Sequence, residues 1–225
     1  MCREPVRHLL APWLVVLVGL WAYSTSFGAP FNFDDIPSIV DNPSIRELWP
    51  IWRSLWAPQV TSTAGRPIVN LSLAINYALG GLDVWGYHVV NVLTHLAAAL
   101  ALFGIVRRLL GCARLRTRYG QNAQSLALTI ALIWVVHPLN TESVTYVIQR
   151  TESLMGLFYL LTVYAMIRGV HATHPGWWFV AAVVSCGLGM GSKEVMVTAP
   201  LVTLLCDRVF FTHSFRDAFR QRQDL

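Results

Sequence analysis

The sequence predicts an all-α protein, a polytopic bundle of membrane-spanning helices. Apolar runs near spanning length recur along the 225 residues, and only 13% of residues are charged, about half the share of a soluble domain. The basic residues also gather in alternate gaps between the runs.

Six spans are read, at about 9–27, 87–107, 122–137, 152–168, 176–191 and 195–211. The first, Leu9 to Phe27, holds 19 residues without a charge, close to the ~20 a helix needs to cross a bilayer. Arg3, Arg7 and "SFGA" also fit a cleaved signal peptide, but the run is long for one and more spans follow. The third to fifth spans are short with polar ends.

The longest extramembrane segment is the loop 28–86. There "IRELWPIWRSLW" sets Trp49, Trp52 and Trp56 on one face of a helix broken or kinked at Pro50, suited to lie in the headgroup zone. "RPIVNLSLAINYALGGL" begins a second helix at Pro67 and closes it at Gly80-Gly81, either surface-lying or re-entrant. The loop 107–122 is Arg-rich, and 208–225 forms a basic tail.

Charge sets the expected orientation. With the N-terminus cytoplasmic, the inner segments hold 12 of the 17 basic residues and the outer ones hold Arg46, Arg53, Arg66, Arg150 and Lys193. That is the positive-inside pattern, so the net charge of +5 is topogenic and requires no nucleic-acid partner. The four cysteines, at 2, 112, 186 and 206, give no outer pair and no disulfide framework. With no targeting tail visible, a bacterial plasma membrane is expected over the endoplasmic reticulum. "NLS" at Asn70 fits a glycosylation sequon, discounted because it lies so near the membrane.

Four outer groups of residues could carry chemistry. Asp34 and Asp35 stand side by side among phenylalanines, where each raises the other's proton affinity, as suits a general base or cation site; they would equally cap a turn. His88, Asn91 and His95 form one polar stripe at i, i+3, i+7, for a cavity or for helix–helix hydrogen bonds; two turns separate the histidines, too far for one small ion unaided. "VVHPLNTESVTYVIQRTESL" brings His137, Glu142, Arg150 and Glu152, as a site or as ordinary loop solvation. Lys193 and Glu194 interrupt apolar sequence, as a hairpin tip would or as a site would. The topology puts all four groups on one side, where acids, histidines and the cations Arg66, Arg150 and Lys193 suit an anionic lipid-linked substrate.

The pieces "FNFDD", "GRPIVNLSLAINYALGGLDVWGYHVVNVLTH", "HPLNTESVTYVIQRTESL" and "GSKE" stand in this order along residues 31–194. In them it resembles the N-terminal membrane part of the transmembrane O-mannosyltransferases that carry tetratricopeptide repeats, and their bacterial relatives, within the GT-C glycosyltransferase fold. The resemblance implies transfer of a sugar, mannose in that family, from a polyprenyl-phosphate donor to a protein or glycan acceptor on the non-cytoplasmic side. It implies that Asp34 or Asp35 is the base that takes the acceptor proton, with inversion at the anomeric carbon. Arg66 or Lys193, with Arg150 third, would neutralise the leaving phosphate. His88, Asn91, His95, His137, Glu142 and Glu194 would support the site. Some GT-C enzymes need a divalent metal and others none, so no cofactor is assigned.

GT-C enzymes have more than six spans, and no tetratricopeptide repeat is visible. The chain is therefore expected to be the N-terminal part of a longer protein and inactive alone. A transporter or flippase with Asp34, Asp35, His88 and His95 on its path, or a non-catalytic scaffold, are the competing readings. A transporter would place its acids near the midplane and show an inverted repeat.

Overall fold

The computed structural model describes residues 4–212. Arg3, Cys2 and the greater part of the basic tail, with Arg216, Arg220 and Arg222, lie outside the described residues.

Among the described residues every regular element is helical. Helix α1 spans Glu4–Ala22, and the chain leaves it through a 3-10 turn, Ser26–Gly28. The loop that follows coils through a π turn, Ile36–Val40, a 3-10 turn, Pro43–Ile45, and the five-residue α2, Ile51–Leu55. Helix α3, Pro67–Gly80, starts with proline at its first turn and stops where Gly81 takes φ +62°, as the sequence predicts. Helix α4, Val84–Leu110, is capped by the Asp83 carboxylate on the Trp85 N–H and ends with Arg107 and Arg108 in its last turn, where cations suit the helix dipole. The short α5, Arg116–Tyr119, leads to α6, Ala123–Val135, and α7, Thr141–Thr145. Helices α8, Arg150–His171, α9, Gly176–Met190, and α10, Ala199–Phe210, complete the bundle.

Two apolar cores hold the helices together and a third secures the loop. Ala11 and Val15 of α1 pack with Leu96, Ala99 and Phe103 of α4 and Ala127, Ala131 and Val135 of α6. Ile105 of α4 meets Val163 and Ile167 of α8, with Cys206 of α10 against them. At the opposite end Ile39, Ile45, Leu73, Tyr87 and Ile148 bury the outer loop against α3 and α4. Arg46 reinforces this contact, its guanidinium 4.3 Å from the Tyr77 ring centre while it donates to the Ile39 and Val40 carbonyls.

The helix lengths differ from the six expected spans. Val84–Leu110 and Val147–His171 are long and apolar enough to cross a membrane, and Arg116–Val135 with Pro138–Thr145 makes a third if this pair, bent by 52°, is one span. Leu10–Ala22 and Gly176–Met190 are apolar but shorter. The expected Trp-faced helix resolves into separate turns, because Pro50 caps α2 instead of continuing a helix through it. Trp49, Trp52 and Trp56 are nonetheless exposed.

Two ends of the bundle differ in chemistry. One gathers the C-terminal turns of α4, α8 and α10 with Arg107, Arg108 and Arg168. The other gathers the loop 28–66 and the turns 138–150 and 191–198; the Ile148 N–H bonds Asp35 of the loop at 2.8 Å, and the Ile68 N–H of α3 bonds the Gly191 carbonyl at 3.0 Å.

Candidate functional site

The acidic pair divides into two environments. Asp35 is 1% exposed. Its Oδ2 accepts the Asn32 N–H at 3.0 Å, and its Oδ1 accepts the Ile148 N–H at 2.8 Å, from 113 residues away. Burial holds its carboxyl above the usual carboxylate range, against the opposing pull of those two N–H groups and of nearby His88. Asp35 is thus a clamp that fastens the loop to the turn before α8.

Asp34 faces the other way and is exposed. Between Asn32 and Asp35 the chain makes a tight turn with Phe33 at φ +43°, a conformation uncommon outside glycine. The Asp35 bonds hold that turn closed. Asp34 Oδ2 accepts the Ser62 hydroxyl at 3.1 Å, while its backbone N–H donates to the Tyr146 hydroxyl at 2.9 Å.

Arg66 reaches the same group through Ser62, donating from its guanidinium to the Ser62 carbonyl at 2.9 Å. It stands half-buried just before α3. Lys193 is in an ion pair with Glu152, with the two side chains 21% and 35% exposed. Glu194 is exposed on the adjoining turn.

Arg150 is wholly buried. Nε donates to Asn91 Oδ1 at 2.7 Å, one terminal nitrogen to Asn76 Oδ1 at 2.6 Å and the Ser72 carbonyl at 3.3 Å, and the other to the Tyr87 carbonyl at 2.9 Å. All three guanidinium nitrogens are engaged by α3 and α4, which favours an architectural role over phosphate binding.

The polar stripe of α4 is employed in the same way. Asn91 also donates to the Val144 and Val147 carbonyls at 3.3 and 3.2 Å. His95 Nε2 binds the Val135 carbonyl at 3.0 Å, and the ring stacks on Trp134 at 4.7 Å. His88 donates from Nε2 to the Ala29 carbonyl at 3.0 Å, with Nδ1 buried and lacking a partner among the described residues. His137 caps the Pro138–Asn140 turn through Nδ1 and the Leu139 N–H, and Glu142 is exposed on α7. Among the described residues no three His, Cys, Asp or Glu side chains gather as a metal cage. Asn70 is fully buried, its amide spent on Asn42, Thr63, Ser44 and the Ser54 carbonyl, in keeping with the discounted sequon.

Sequence reasoning misses Ser62, Tyr146 and the partnership of Glu152. A serine or tyrosine in a loop gives no pattern of its own. Glu152 stands in the singled-out segment, but its cation comes 41 residues later.

The surroundings suit a base that must collect a proton at the mouth of a bundle. One accessible carboxylate is steered by a hydroxyl, Arg66 shares that serine, and Lys193 sits at the same end with only a carboxylate to displace.

Comparison with known proteins bears on the chain's family. The profile described as "Dolichyl-phosphate-mannose-protein mannosyltransferase" matches residues 64–223. The chain is 28% identical over 222 residues to "Protein O-mannosyl-transferase tmtc2" of Xenopus laevis, covering 92% of this chain and 25% of that protein. It is 29% identical over 221 residues to "Protein O-mannosyl-transferase TMTC2" of Homo sapiens, with the same coverage. "Protein O-mannosyl-transferase Tmtc3" of Drosophila melanogaster is 30% identical over 188 residues, covering 75% of this chain and 20% of that protein. The chain thus spans about a quarter of the length of the curated relatives it matches. No solved structure matches it. These relatives are animal proteins, and they lend a bacterial plasma membrane no support.

Proposed function

The chain belongs to the dolichyl-phosphate-mannose-protein mannosyltransferase family, and from that premise we propose that it forms the acidic half of a membrane O-mannosyltransferase site. The full protein would move mannose from a polyprenyl phosphate to a protein hydroxyl. The acceptor oxygen forms a bond to the anomeric carbon, the bond from that carbon to the phosphate oxygen breaks with inversion, and polyprenyl phosphate leaves. The acceptor proton passes to Asp34. Arg66 and Lys193 offset the charge that develops on the leaving phosphate, Lys193 by exchanging Glu152 for it. Such a reaction rests on positioning and electrostatics.

The observation that carries this reading is the division within the acid pair: Asp35 is buried and doubly bonded, and Asp34 is exposed beside Ser62. The separation of an arginine-rich end from an acid-bearing end supports a site on the non-cytoplasmic side, with the N-terminus cytoplasmic. It also supports reading the shorter apolar helices as spans, six in all, in a GT-C-like bundle. The burial of the α4 stripe in packing weighs against a proton path for a transporter.

The test is transfer from polyprenyl-phosphate mannose by the full-length protein in membranes. Asp34→Asn is expected to lower kcat by about 10²–10⁴ without shifting thermal unfolding, while Asp35→Asn, which turns an amide N–H toward one of the two backbone N–H groups, is expected to lower the unfolding temperature and to reduce kcat less. Parental transfer by Asp34→Asn would overturn the assignment of the base.

A further inference from the structure

Between the C-terminal end of α1 and α7 lies a half-open cavity of about 180 Å³. Ala22 and Val136 give it an apolar surface, and Tyr23, Thr25, Ser26, Thr141 and Thr145 add five hydroxyls; no lining side chain carries a charge.

The hydroxyls differ in what they offer. Ser26 Oγ donates to the Tyr23 carbonyl at 2.7 Å and Thr145 Oγ1 to the Thr141 carbonyl at 2.9 Å, so both remain free to accept. The hydroxyls of Tyr23, Thr25 and Thr141 have no protein partner among the described residues. Tyr23 matters most. It is only 5% exposed, and its ring meets His95 edge-on at 5.3 Å, so its position is fixed by the same histidine that stacks on Trp134. A buried phenol normally finds a hydrogen-bond partner. At this wall the partner has to come from the cavity.

A ligand that fits must both donate and accept, must show apolar C–H surface to Ala22 and Val136, and must be neutral, since no side chain of either charge lines the space. The volume equals about six waters, below the usual range for drug-sized ligands and suited to one monosaccharide ring. The exposed Glu142 on the same turn disfavours an anion. Tyr146, directly after α7, accepts the Asp34 N–H, so the cavity wall and the candidate base are coupled through one turn of chain.

We propose that this cavity binds a single neutral hexose ring. The proposal rests on the mannosyltransferase reading, and the ring could belong to the donor or to a sugar already on the acceptor. The probe is methyl α-D-mannoside, its binding to the full-length protein in lipid nanodiscs read by saturation-transfer NMR. Saturable binding in the millimolar range is expected, weakened about three- to tenfold by Tyr23→Phe and by Thr141→Val, each of which removes one hydrogen bond, with thermal unfolding unchanged. Asp34→Asn is expected to bind the probe as the parent does even where transfer is lost, so failure of the base assignment and failure of the cavity are read separately. Displacement of the probe by polyprenyl-phosphate mannose assigns the cavity to the donor, and displacement by a mannosylated peptide alone assigns it to the acceptor side. No binding by the parent, equal binding by both cavity variants, glycerol competing as well as the mannoside, or displacement by neither sugar conjugate would overturn the proposal.

Discussion

Arg150→Met separates an architectural arginine from a phosphate ligand. Arg150 is fully buried and makes three short bonds, to Asn91 at 2.7 Å, Asn76 at 2.6 Å and the Tyr87 carbonyl at 2.9 Å. Each is a bond to a charged group, worth about 1.5–3 kcal/mol, so the substitution removes about 4.5–9 kcal/mol. Methionine also releases a buried cation, which recovers several kcal/mol of desolvation. The net loss is about 3–5 kcal/mol, since the buried Asn91, Asn76 and Tyr87 oxygens are left without their donor. For a chain of this size that lowers the unfolding temperature by about 6–20 °C, measurable in detergent by tryptophan fluorescence. The folded fraction at low temperature is expected to keep the donor KM within about twofold. Arg150→Lys should fall between, because one ammonium cannot span acceptors on both α3 and α4 in a fork's geometry. An unchanged unfolding temperature with a donor KM raised tenfold or more would refute the reasoning and return Arg150 to the phosphate.

Three further outcomes are expected. The Asp35 carboxyl is held above its ordinary value of 3.8, so the native state binds this proton more tightly than the unfolded chain does. Its contribution to stability is fully present below pH 3.8 and is lost as pH rises through the raised native value; unfolding followed against pH should show that slope in the parent and a flatter one in Asp35→Asn. Glu152→Gln frees Lys193 at a stability cost of about 0.5–1 kcal/mol for so accessible a pair, and donor KM should fall, whereas Lys193→Gln should raise it. A Cβ at Gly104 on α4 would stand 2.7 Å from the Tyr164 ring, while one at Gly156 on α8 meets nothing within 4 Å. Gly104→Ala should therefore cost about 1–3 kcal/mol, and Gly156→Ala should be neutral or stabilising by up to about 1 kcal/mol, both read as shifts in unfolding temperature.

Much of the scaffold was legible because it depends on local signals. Pro67 and Gly81 bound α3 where the sequence predicts, and the span expected at 87–107 lies within Val84–Leu110. In the Trp-bearing stretch the break falls at Pro50, as the sequence predicts, but the helix after it is short, Ile51–Leu55, and does not reach Trp56. The His88–Asn91–His95 stripe makes the hydrogen bonds between packed segments that the sequence offers as one of its two uses, but the partners are not legible: the acceptors are carbonyls of Ala29, Val135, Val144 and Val147, and a carbonyl leaves no mark in a sequence. Arg150 looked like a surface cation for a similar reason. Its partners on α3 and α4 precede it by 59 to 78 residues.

The choice between Asp34 and Asp35 was equally closed to sequence, although the two residues are chemically identical. Local backbone decides that their side chains diverge, through the left-handed Phe33 before them. Which one is buried is decided elsewhere, by the Ile148 N–H. That N–H belongs to a turn whose neighbours do related work: the Tyr146 hydroxyl receives the Asp34 N–H, the Val144 and Val147 carbonyls receive Asn91, and Arg150 ties the turn to α3 and α4. The position of the Asp34 carboxylate is therefore referred to the bundle and not to the loop that carries it. A base that must meet an acceptor hydroxyl within about 3 Å gains from that arrangement, because the loop is anchored by residues whose own geometry is fixed by packed helices. The buried polar groups of this end, which resemble a dispersed active site in the sequence, hold the turn 32–35 in place and leave the Asp34 carboxylate exposed.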